Sequence, residues 1–329
     1  MLTTTIAKLE SWIRSGSGLK PRNETTTAVQ LSTMTTAQRD ALTPVAGMMI
    51  YNSSAGFFQK YEGSAWGNFG REILQANRTY YVRADGSNSN TGLVNTAGGA
   101  FLTIQKAVDT AAALDSSIYN VTIKIGTSGS TFAENLVLRT MVGSGSITIQ
   151  GYDTTTSNTI FSTTGSAGAF GIYGASVQTI YYLKDFKMVG GTGATCAIGA
   201  DMGTNIHFTN LNFGAGWSAR HLYVLRNALV TADGPYEISG SCVYHATTST
   251  GMINIPARAV TLTGTPAFTA FANFTYLGSI IWYQGSFTGT CTGKRYEGVM
   301  NAVCFTIGGG ANYFPGDAAG TTATGAQYS

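Results

Sequence analysis

Phe186-Lys187-Met188-Val189-Gly190, Tyr236-Glu237-Ile238-Ser239-Gly240, Val260-Thr261-Leu262-Thr263-Gly264 and Phe305-Thr306-Ile307-Gly308-Gly309 are copies of one pattern: apolar residues at i and i+2, then glycine. A degenerate copy, Leu211-Asn212-Phe213, lacks the glycine, and Gly285-Ser286-Phe287-Thr288-Gly289 lacks the first apolar residue. With the second apolar residue as marker, the positions are 188, 213, 238, 262, 287 and 307, in steps of 25, 25, 24, 25 and 20. A fixed period in this range marks a solenoid, whose units stack because none can bury its apolar side alone. Within each copy apolar and polar residues alternate, which is the periodicity of a strand. Ile147-Thr148-Ile149-Gln150-Gly151 repeats the pattern further upstream, so stacking starts well before residue 186.

Composition agrees. Only 11% of residues are charged, 42 of 329 are glycine, and 16 Phe, 4 Trp and 17 Tyr exclude a disordered chain. The net charge of +3, with no run of Lys or Arg, is too weak to argue for nucleic acid or an anionic membrane, and neither nucleic acid binding nor membrane insertion is expected. The first ten residues show no basic flank followed by an apolar run, so no signal peptide is expected. No stretch approaches the roughly 18 apolar residues of a membrane span. Cys196, Cys242, Cys291 and Cys304 lack metal-binding spacings. Cys242 and Cys291 fall at equivalent places two coils apart, roughly 9–10 Å, beyond disulfide reach. Four reduced, buried thiols are expected; an intermolecular bridge is the alternative.

Ahead of the repeats, Leu2, Ile6, Leu9 and Ile13 have a/d spacing over two heptads, too few to hold an oligomer alone. Ser15-Gly16-Ser17-Gly18 ends this short helix, and residues 20–33 read as extended. Met34 to Leu42 predicts one helical turn with a threonine N-cap, ended by Pro44. Met48 to Asn52 and Phe57 to Trp66, around a four-residue loop ending in Gly56, predict a hairpin. Its rings, Tyr51, Phe57, Phe58, Tyr61 and Trp66, call for burial against copies of themselves.

The block Thr33 to Pro44, continued by Gly47 to Asn52 and ending at Ala65-Trp66, resembles a segment of bacteriophage tail-fibre and related virion fibre proteins. A second stretch, Thr79-Tyr80-Tyr81-Val82-Arg83-Ala84-Asp85-Gly86 running on to Phe101-Leu102-Thr103-Ile104-Gln105-Lys106-Ala107-Val108-Asp109, is similar to the entry into pectin-lyase-type right-handed parallel β-helices of tailspikes. The residues themselves agree: Ile104, Ala107, Val108, Ala111 and Leu114 predict an amphipathic helix over 102–114. Such a helix would cover the open edge and core of a first coil. Strands are expected at Val121–Ile125, Leu136–Leu138, Ile147–Gly151 and Thr159–Phe161.

The expected fold is thus all-β: a right-handed parallel β-helix over 77–310 with an N-terminal capping helix. Before it come an attachment segment, 1–32, with its short helix, and a helix-hairpin connector, 33–76; an extended tail, 311–329, follows. The resemblance implies a homotrimeric virion fibre, assembled in the bacterial cytoplasm, held to other virion proteins through 1–32, and contacting bacterial surface polysaccharide. An architectural head, collar or neck fibre is one alternative and a polysaccharide depolymerase the other.

Glycoside hydrolysis needs two carboxylates about 5 Å or about 6.5–9.5 Å apart. Beyond residue 140 the acidic residues are Asp153, Asp185, Asp201, Asp233, Glu237, Glu297 and Asp317, and no two share a place on neighbouring coils. Asp233-Gly234 reads as a turn. No acidic cluster suits Ca²⁺. The reading leans away from an enzyme, with no catalytic residue, metal or cofactor assigned; if it is one, it is a polysaccharide hydrolase or lyase. His207, His221 and His245 are expected as polar contacts on the outer face. Aromatic residues between markers are mostly packing, and any left exposed suit stacking on sugar rings. The glycan-binding candidates are Trp217, Arg220, His221, Tyr244, His245, Trp282, Lys294 and Arg295.

Overall fold

The structure, a computed structural model, describes residues 20–21, 29–165 and 168–329, which fall into two compact units divided between Glu72 and Ile73. The expected helix at residues 2–13 lies outside the described residues.

In the first unit, strands Met49–Asn52, Phe57–Tyr61 and Trp66–Asn68 form an antiparallel meander, and Thr33–Met34 pairs parallel to its first strand. The helix Thr36–Asp40 is short but fully capped: the Thr35 hydroxyl accepts from Gln38 N, and the Gln38 side chain accepts from Thr35 N. Beneath it Asn52 and Gln59 are buried and bonded to each other, and Arg39 donates to Gln59. Of its rings, Phe58 is half exposed in the single chain.

The second unit is a parallel β-solenoid. Its strands form one ladder of eight and one of fifteen, and the fifteen bend around a corner to make two faces. One face carries the register Val121, Ile147, Tyr181, Ile206, Val230, Ile253, Ile280 and Cys304, a residue per coil, all fully buried. The next face holds the repeat markers: Phe132, Phe161, Met188, Phe213, Ile238 and Leu262 pair in turn, all inward. After Leu262 the period slips. Phe287 pairs with Val260, two residues earlier, and a shift of two keeps the side chain on the same face. Ile307 lies outside this ladder, in a left-handed turn.

The glycine of the repeat has a steric reason. A Cβ on Gly240 would lie 2.2 Å from the backbone of Gly214 on the preceding coil, whereas Gly264 turns the chain at φ +76°. At the corner between faces, Asp185 and Asn210 take left-handed φ values, and Asn210 Nδ2 donates to Asp185 Oδ1 at 3.0 Å, so each coil supports the next.

The capping helix spans Ile104–Ala112, with Ile104, Ala107, Val108 and Ala111 buried against the first strands, Arg78–Val82 and Val121–Ile125. Thr103 caps it, and Glu134 accepts from the amides of Ile104 and Gln105 at 2.8 and 2.9 Å. At the other end, the segment 311–329, expected as an extended tail, contains two short strands. Thr321–Thr322 and Gln327–Tyr328 pair parallel to Thr292–Gly298 and Val303–Phe305, completing one more coil. Tyr328 stacks on Tyr296 with ring centroids 3.7 Å apart. All four cysteines are free thiols, and burial pushes that of Cys291 up to about 12 and the other three higher.

Candidate functional site

The eight-stranded face bears an open groove of about 360 Å³. It spans four consecutive strands, Arg220–Leu225, Tyr244–Ser249, Ala267–Thr275 and Thr292–Gly298. These strands depart from simple alternation. In each of the first three, two successive residues point inward (His221-Leu222, His245-Ala246, Phe271-Ala272), which flips the parity of the positions around them. Two outward rows result. One is Arg220, Tyr244, Ala270 and Lys294; the other is Tyr223, Thr247, Asn273 and Glu297. Thr247 and Asn273 make the floor between larger side chains. Tyr276 joins the lining from the turn after the third strand, at φ +50° and more than half exposed.

Each wall is organised. The Arg220 guanidinium lies over the Tyr223 ring, 4.2 Å from its centroid. Across the groove, Lys294 Nζ donates to Glu297 Oε1 at 3.2 Å and the Tyr244 hydroxyl donates to Glu297 Oε2 at 3.3 Å. Burial, and then the Glu297 charge, push the Tyr244 phenol up. Thr247 is only 2% exposed, yet its hydroxyl has no hydrogen-bond partner among the described residues.

Of the sequence candidates, Arg220 and Tyr244 line this groove and Lys294 braces its Glu297. Arg295 turns aside to donate to the carbonyl of Ala318 at 3.1 Å. Trp217, His221, His245 and Trp282 are corrected: all are 3% exposed or less and belong to the interior. The double inward step carries both histidines into the core. There their Nδ1 atoms lie 3.1 Å apart, and His245 Nε2 meets the Tyr236 hydroxyl at 3.0 Å. Phe213, Phe271 and Trp282 surround them. Burial lowers the His221 pKa to about 3 and that of His245 likewise well below the ordinary value. His207 does sit on the outer side, bonded to Asp233 at 3.0 Å.

Thr247 and Asn273 are floor residues that the sequence pattern does not mark. Their signal is the spacing of outward positions, 223, 247, 273 and 297, which is visible only once the double inward step is known. Glu297 is the single carboxylate in the lining, so the groove does not itself supply a two-carboxylate hydrolytic site. Aromatic walls, a hydroxyl and amide floor, and fixed charges at the rim suit a polyhydroxylated ligand. No protein-family model, curated protein or solved structure matches this chain.

Proposed function

We propose that this chain is a phage virion fibre of the tail-fibre or tailspike kind, which projects from the particle and binds glycan on the bacterial surface. Support for the virion assignment comes from the resemblance of residues 33–66 and 79–109 to fibre segments, joined to an elongated parallel solenoid. In this reading residues 1–32 attach to other virion proteins and three chains associate. The observation that carries the binding role is the groove itself. A buried hydroxyl left without a partner costs about 1–3 kcal/mol, a deficit that a ligand hydroxyl would relieve. Tyr223, Tyr244 and Tyr276 offer sugar rings flat or edge contacts at small entropy cost.

The test is binding of the full chain to an array of bacterial capsular and O-antigen polysaccharides. Capture of at least one, lost in Tyr244→Ala, is the expected result. Silence across the array and on whole bacteria would favour an architectural fibre and remove the adhesin reading. Shortening of the captured glycan would instead show a depolymerase.

A further inference from the structure

The charges around the groove do not cancel. Glu297 is engaged twice, by Lys294 and by the Tyr244 hydroxyl, so its carboxylate is spoken for within the wall it builds. Arg220 has no carboxylate partner among the described residues. The contrast with Arg226, on the next turn of the same coil, is informative: Arg226 is held by Asp201 through both Nε and Nη2. Arg220 instead lies over the Tyr223 ring, 4.2 Å from its centroid, a contact that uses none of its hydrogen-bond donors. An arginine so oriented, unpaired, at the rim of a groove is a preformed fork for a planar anion.

Resting on the glycan-binding reading, we infer that the groove selects a carboxylate-bearing sugar, with Arg220 as the residue that recognises the carboxylate. The sugar ring lies between the tyrosines, its acid group faces the terminal nitrogens of Arg220, and a ring hydroxyl meets the Thr247–Asn273 floor. Lys294 and Glu297 offset each other within the opposite wall, which leaves Arg220 as the uncompensated charge of the groove. A neutral glycan would leave Arg220 solvated but unused. A sugar with its acid group on the opposite edge would face Glu297.

The test uses the full chain and paired probes: fragments of uronate- and sialate-containing bacterial capsules, each beside its carboxyl-reduced counterpart, in which the acid is an alcohol. Affinities come from calorimetry at two salt concentrations. At least one acidic member is expected to bind about ten-fold or more tightly than its reduced twin, with the gap narrowing as salt rises. In Arg220→Gln the two members should bind equally. In Arg220→Lys the preference should survive but shrink, because an ammonium is a point charge and not a fork. Unchanged melting temperatures establish that these variants fold, and the comparison of paired ligands needs no variant at all. Equal binding of both members by the natural chain overturns the acidic selection and leaves glycan binding standing. Absence of binding to any glycan overturns both.

Discussion

At the scale of single residues, the most consequential side chain is Thr247, which the fold buries without satisfying. Valine has nearly the same shape and no hydroxyl to desolvate. Thr247→Val is therefore expected to stabilise the solenoid by roughly 1 kcal/mol, read as a raised denaturation midpoint, while weakening glycan binding. A valine variant that is less stable would show that the hydroxyl already has a partner. The paired histidines act on stability in another way. Both have folded pKa values below the unfolded value of about 6.5, His221 at about 3. The folded state excludes protons that the unfolded state takes up. Stability is thus fully present above pH 6.5 and is lost as pH falls from there towards 3, at up to about 2.7 kcal/mol per pH unit for the two together. Urea unfolding between pH 7 and 4.5 should show that slope. Replacing His221 by phenylalanine should roughly halve it, and a flat profile in the natural chain would refute the neutral buried pair.

At the scale of elements, the capping helix shows how local sequence and the solenoid end meet. The spacing of Ile104, Ala107, Val108 and Ala111 is enough to define its buried face, because helical periodicity is a local property. Its N-terminal anchor is not legible in the same way. Glu134 lies some thirty residues away and reaches the Ile104 and Gln105 amides only because the first coils bring it there. Glu134→Ala leaves those two amides part-buried and unpaired, and should cost about 2 kcal/mol with early fraying of the helix. Hydrogen exchange at residues 104–106 would detect it, and unchanged protection would show that water replaces the carboxylate. The strands divide in the same way. Alternation identifies Val121–Ile125 and the inward markers correctly, because a two-residue period needs only neighbours. It fails on the eight-stranded face, where the double inward step places His221, His245 and Trp282's neighbour Phe271 inside and sets Thr247 and Asn273 outside. That step is a feature of stacked coils, and no single copy of the strand discloses it. The candidate site is accordingly half legible: Arg220, Tyr244 and Lys294 can be chosen as chemistry, whereas the floor requires register.

At the scale of the whole solenoid, the two ends and the sides pose different problems. The first coil is closed by its helix, and the final residues add a coil, with Tyr328 stacked on Tyr296. The sides near that last coil are not closed. Met252, Leu277, Met300, Val303 and Phe305 are each 39–71% exposed. They are neighbours: Val303 follows Met252 two coils on through Ser279, and Leu277 N bonds to the Met300 carbonyl. Single exposed apolar residues are ordinary, but several close together, here on two strands and two left-handed turns of neighbouring coils, suit a contact surface. We propose that the copies of the fibre meet at this surface, which adjoins the groove through Tyr276 and Val299. Light scattering should then give three chains per particle for the natural protein. The pair Leu277→Asp and Phe305→Asp should release single chains that keep the β signal in circular dichroism, because both side chains are exposed and neither supports the core. A natural chain that is monomeric, or a doubly charged variant that stays trimeric, would place the contacts between copies elsewhere and leave this patch to some other partner.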